Sequence, residues 1–167
     1  MYAADGPVDG GSPLRRDVAQ FIAEGVERGE AVLVISTRSA RAALEAELAS
    51  LGVRLGEMES RGLALWVDSQ QALTRVLGNG VPDESEFERL VKQISAANSS
   101  PPGRRIRAYH DLVDVLERMG EHEAAVLVRD MWSDICKRYA ELIIAYTEAN
   151  LYSEQDCRIS GVQEAIG

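Results

Sequence analysis

Apolar positions along this chain follow two rhythms in turn, a stripe at three- to four-residue spacing and short unbroken runs, and that alternation predicts helices and strands. Leu14, Val18, Phe21, Ile22, Gly25 and Val26 recur at helical spacing, so one face of a first helix can lie on a sheet, with Gly29 ending it. Ala31 to Ile35 is a continuous apolar run rich in β-branched residues, as a parallel strand covered on both faces requires. Thr37 or Ser39 can cap a second helix whose inward face is Ala40, Leu44, Glu47 or Leu48, and Leu51, with Gly52 as its stop. Leu63 to Val67 reads as the next strand. Asp68 and Ser69 close it and can cap a helix carrying Ala72, Leu73, Val76 and Leu77.

The same logic continues toward the C-terminus. Gly78 to Pro82 is a turn, and Asp83 with Glu86 three residues on predicts a capping box for a helix presenting Phe87, Leu90, Val91 and Ile94. After a loop at 98–103, Ile106 to His110 is a shorter, more polar strand, followed by Leu112, Val113, Val115 and Leu116 on a helix ending near Gly120. Ala124, Leu127, Val128, Met131, Trp132 and Ile135 trace the inner face of a long helix, and Leu142 to Tyr146 makes the last strand. Trp132 on that face, and Trp66 in a strand read as central, are expected to be buried. Four strands alternating with helices select a three-layer α/β fold, a parallel sheet with helices on both faces. Residues 3–13 read as a Gly- and Pro-rich loop with Ser12 capping and Pro13 opening the first helix. The segment 153–167 reads as a polar tail, weakly amphipathic at Ile159, Val162 and Ile166, so that residues 1–152 form one domain.

Charge narrows the functions open to such a domain. Eighteen basic against 27 acidic residues give a net charge of −9, so the phosphate-neutralising surface of a nucleic-acid binder is not evident. The longest apolar runs fall far short of the ~18 residues that span a bilayer, and no charged-then-apolar leader opens the chain, which therefore reads as cytoplasmic. Cys136 and Cys157 lack metal-ligand spacing and offer no disulfide framework.

The stretches FIAEGVERGEAVLVISTRSARAALEAELASLGV, RGLALWVDSQQAL, RRIRAYHDLVDVL and LIIAY resemble the MEDS sensory domain (methanogen/methylotroph DcmR sensory domain), a non-catalytic relative of the RecA/KaiC-type ATPase fold, over roughly Tyr2 to Tyr152. Tyr2 matches a family tyrosine near the N-terminal strand. An ATP-binding member of that fold needs a Gly-rich loop closed by Lys-Ser or Lys-Thr. The matching place reads ADGPVDGGSPLRR, with Asp5 and Asp9 but no lysine, since Lys92 and Lys137 are the only lysines in the chain. The resemblance thus implies a non-enzymatic sensory or regulatory domain in bacterial signal transduction, with no cofactor and no metal. It would bind a small-molecule signal or a signalling protein such as a histidine kinase or regulator, with self-association left open. A degenerate KaiC-like nucleotidase and a pure protein-interaction module are the rival readings.

The residues that could carry recognition cluster by topology. In an open α/β sheet ligands bind beyond the carboxyl ends of the strands, and Ser36, Asp68, His110 and Tyr146 all stand at that edge. With their neighbours Thr37, Arg38, Tyr109 and Asp111 they form the candidate ligand site. Each has a plainer reading. Asp111 resembles the acidic end of a Walker B strand, but capping the following helix is favoured; His110 can act as ligand donor or as a polar gap-filler; Arg15 and Arg16 read as a solvated pair rather than an anion site. No catalytic residue is assigned.

Overall fold

The four apolar runs form four strands, β1 (Ala31–Ser36), β2 (Ala64–Asp68), β3 (Ile106–His110) and β4 (Ile143–Tyr146), in a computed structural model that describes residues 13–78, 80–97 and 104–146. All pair in parallel, in the order β2-β1-β3-β4, with Ser36 level with Asp68, Ile35 with His110 and Tyr109 with Tyr146. The carboxyl ends therefore share one edge. Seven helices are described: α1 (Pro13–Glu27), α2 (Arg38–Ser50), α3 (Leu55–Ser60), α4 (Ser69–Val76), α5 (Glu84–Ala97), α6 (Leu112–Arg118) and α7 (His122–Arg138).

Side chains that alternate along the strands feed two apolar layers. On one face Val32, Val34 and Ala64 meet Val18, Ile22, Leu44, Leu48 and Leu55 of α1, α2 and α3. On the other, Leu33, Ile35, Ile106 and Ala108 meet Leu73, Phe87, Ile94, Leu112, Trp132 and Ile135 of α4, α5, α6 and α7. This is the three-layer α/β arrangement that the sequence pattern selects. The caps at Thr37 and Asp68 form as expected: Thr37 Oγ1 accepts from the Ala40 amide and Asp68 Oδ1 from the Gln70 amide. Ser12, Tyr2, Tyr152, Cys157, the loop before Pro13 and the tail 153–167 lie outside the described residues.

Several expectations need correction. The helix α3 was not foreseen. It is one and a half turns long and has no side-chain cap, so its sequence LGEMES carries little periodic signal. Leu51 is exposed just past the end of α2, and Leu127 is 48% exposed, because the buried stripe of α7 runs through Ala125, Val128, Trp132 and Ile135. Asp83 does not pair with Glu86 in a reciprocal box. Its Oδ1 accepts from the Ser85 amide, while the Glu86 carboxylate holds Arg89 one turn on. Trp66 is only partly buried because β2 is an edge strand rather than a central one; the Arg41 guanidinium lies 4.7 Å over its ring.

The amino-terminal edge of the sheet holds a buried ion pair that the pattern conceals. Arg107 of β3, 5% exposed, binds Glu30 at 3.2 Å, donates from Nη1 to the Phe21 carbonyl at 2.9 Å and lies over the Phe21 ring. Gly25 lets α1 cross it. A Cβ there would stand 2.5 Å from Arg107 Cγ, so the glycine serves close approach rather than an apolar face.

Candidate functional site

Polar side chains collect where β1, β2 and β3 hand over to α2, α4 and α6, and Asp111 is their centre. Its Oδ2 accepts from the Thr37 amide at 3.1 Å and its Oδ1 from the Ser69 hydroxyl, while its own amide donates to the Ile35 carbonyl at 3.0 Å. One carboxylate thereby fastens three loops. Asp111 occupies the N-cap position of α6, yet its side chain makes no cap hydrogen bond there, so the capping role expected from the sequence is corrected. Burial pushes its carboxyl above the usual range, against the hydrogen bonds from Ser69 and Thr37 that pull it down.

The cap role at α6 falls to His110 instead. The Leu112 amide donates to its Nδ1 at 3.2 Å, which places the ring proton on Nε2. The ring sits in the α5 and α7 layer, edge-on to Trp132 at 4.9 Å and 6.3 Å from Phe87. Burial lowers its pKa to about 4, so it is neutral at physiological pH. His110 therefore faces away from the other candidate side chains.

Ser36 is fully buried, accepting from Trp66 Nε1 at 3.1 Å and donating to the Thr37 carbonyl at 3.1 Å. Asp68 caps α4 and meets the largely exposed Arg38 at 3.5 Å. Tyr146 packs 5.2 Å from Phe21 and 6.4 Å from Tyr109 in the α1 layer. Of the eight candidate residues, Tyr109 and Asp111 line an open cleft.

That cleft, of about 190 Å³, is walled by the first two turns of α1 and α2 and by α6. Val18, Ala40 and Leu44 form its apolar floor; Tyr109, Asp111, Arg15, Asp114 and Arg118 supply its polar rim. Arg118 and Asp114 pair across one turn of α6 at the surface, and the contact holds the guanidinium pKa above its ordinary value. Sequence reading missed Arg118 and Asp114, for which an i, i+4 pair of opposite charge is the usual signature of a solvated helix face. Among the described residues no group of His, Cys, Asp and Glu could hold a metal ion, and no helix is long and apolar enough to cross a membrane. Burial pushes the half-buried Cys136 thiol up to about 12, leaving it protonated.

Comparison with known proteins adds one match. A family model described as MEDS, the methanogen/methylotroph DcmR sensory domain, matches residues 8–155. No curated protein and no solved structure matches the chain.

Proposed function

The chain belongs to the MEDS sensory-domain family, and from that premise we propose that it is a non-enzymatic receiver that binds a small molecule in the cleft beside Tyr109 and Asp111. The observation that carries this reading is the double duty of Asp111, which lines the cleft and also holds the Thr37 and Ser69 turns. An occupant touching that carboxylate changes the balance of its hydrogen bonds. The three loops it fastens then settle into a different population, and a signalling protein such as a histidine kinase or regulator reads the altered edge. The size of the cleft supports a small ligand, since it lies below the ~300–1,000 Å³ of sites for drug-sized molecules.

The test is a screen of small-molecule mixtures by amide and methyl NMR on the folded protein. Binders should shift the Val18, Ala40 and Leu44 methyls, with the Thr37 and Ser69 amides moving in the same titration. In Asp111→Asn the methyl shifts should persist while the two amides cease to follow. Shifts confined to the opposite edge, around Glu30 and Arg107, would overturn the assignment. So would an unchanged Thr37 and Ser69 response in the variant.

A further inference from the structure

The loop between α4 and α5 and the outer side of α7 expose apolar side chains that the core does not use. Val81 is 69% exposed, and Val126 and Leu127 of α7 also face solvent, off the stripe of Ala125, Val128, Trp132 and Ile135 that packs on the sheet. Single exposed apolar residues are ordinary, but Val81, Pro82, Leu127 and Met131 line one groove of about 310 Å³. The loop on its far side is pinned, with the Gly80 amide donating to the Leu77 carbonyl at 2.9 Å and the Asp83 amide to the Val76 carbonyl at 2.7 Å. Gly80 takes the left-handed conformation that this turn needs, at φ 78°.

Charge around the groove is unbalanced. The ionisable residues that line it, Glu84 and Asp134, are both acidic. Arg138 binds Glu84 through Nη2 and Glu88 through Nη1, each at 2.6 Å, so one guanidinium serves two carboxylates, and Asp134 makes no ion pair among the described residues. With Asp130 one turn before Asp134 and Lys137 three residues after it, four carboxylates stand against two cations.

We propose that this groove docks a cationic amphipathic helix of another protein, its apolar side chains on Val81, Leu127 and Met131 and its Lys or Arg residues beside Asp130 and Asp134. A second copy of the chain fits less well, because a two-fold contact would set this acidic rim against itself in a chain of net charge −9. The chain's own residues 147–167 fit less well too, with four acidic residues to one arginine. An added strand is disfavoured because α7 pairs its backbone groups internally and offers none along the groove, whereas a helix needs only side-chain contact. The groove shares no lining residue with the cleft beside Asp111, so the proposal stands whether or not that cleft takes a ligand.

Three synthetic peptides test this, each titrated into the folded protein while its methyl resonances are followed by NMR. The first is an amphipathic helix with leucines at i, i+3, i+4 and i+7 and lysines on its other face; the second has glutamates for the lysines, the third serines for the leucines. The first should shift the Val81, Val126, Leu127 and Met131 methyls and bind at least about tenfold more tightly than either of the others. Leu127→Ser and Asp134→Asn, both at exposed positions, should each weaken it by about threefold or more, while Glu57→Gln on α3, in the other layer, should leave it unchanged. Equal binding of the glutamate peptide would remove the charge selection, and equal binding of the serine peptide would remove the apolar anchors; either overturns the proposal. So would an equal loss in Glu57→Gln, which marks diffuse attraction to an acidic protein, or the absence of shifts at these four methyls. Sedimentation of the protein alone as a dimer, with the same methyls shifting on dilution, would assign the groove to a second copy instead.

Discussion

At the scale of single residues, two neighbours in the sequence divide the work at the end of β3. Asp111 joins loops and His110 caps α6 from inside the core. Removing the carboxylate in Asp111→Ala leaves the Thr37 amide and the buried Ser69 hydroxyl without acceptors, and the expected cost is about 2–4 kcal/mol, read as a lowered urea midpoint. A loss below about 1 kcal/mol would mean that water replaces the carboxylate freely. His110 makes the second prediction, on pH. Its folded pKa of about 4 lies below the ordinary 6.5, so the unfolded chain takes up the proton first. The stability it confers is full above about 6.5 and is lost as pH falls toward 4. Between pH 7 and pH 5 the protein should lose about 2 kcal/mol that His110→Asn does not lose. The raised Asp111 carboxyl works in the opposite sense, adding stability on acidification, and the comparison cancels it because both proteins retain Asp111. Parallel pH profiles for the two proteins would show that the ring is not held neutral by burial.

At the scale of elements, α1 and β3 meet at Gly25, and the packing there decides between two opposed effects. Alanine favours a helix over glycine by about 1 kcal/mol, but a Cβ at position 25 would overlap the Arg107 stem, which Glu30 and the Phe21 carbonyl hold in place. Overpacking costs about 1–3 kcal/mol, so Gly25→Ala should destabilise on balance, and a raised thermal midpoint would refute the close contact. The example shows where sequence reading stops. Strands, the Thr37 and Asp68 caps and most helix limits are local properties, set by residues within a few positions of one another, and they were legible. The partners of Asp111 lie 74 and 42 residues away, and Glu30 lies 77 from Arg107. No periodicity encodes such pairs. The same limit explains the burial of His110, which depends on Phe87 and Trp132, whereas its bond to the Leu112 amide is local. It explains Trp66 too, since strand order decides which strand is an edge. The cleft was half legible: the sheet edge followed from topology, while Arg118 and Asp114 of α6 share it with residues of α1 and α2 far away in sequence.

At the scale of the whole molecule, a signal received on the α1 and α2 side can reach the α5 and α7 side only if the two apolar layers behave as one body. The sheet gives the reason to expect this, because alternate residues of the same strands serve both layers: Val32 and Val34 point one way, Leu33 and Ile35 the other. Neither layer can loosen without disturbing strands that the other packs on. Truncating a core residue in one layer should therefore weaken the other equally. Leu48, fully buried in the α2 layer, is the site to cut, with an expected cost of about 2–5 kcal/mol for Leu48→Ala. Trp132, 2% exposed in the α7 layer, is the reporter once Trp66 is replaced by Phe. In that background the midpoint read from Trp132 fluorescence should fall together with the far-ultraviolet midpoint when Leu48 is truncated, in a single transition. If Trp132 keeps its original midpoint while helix content is lost earlier, the layers unfold independently, and binding at the cleft would have to be read on the α1 and α2 side alone.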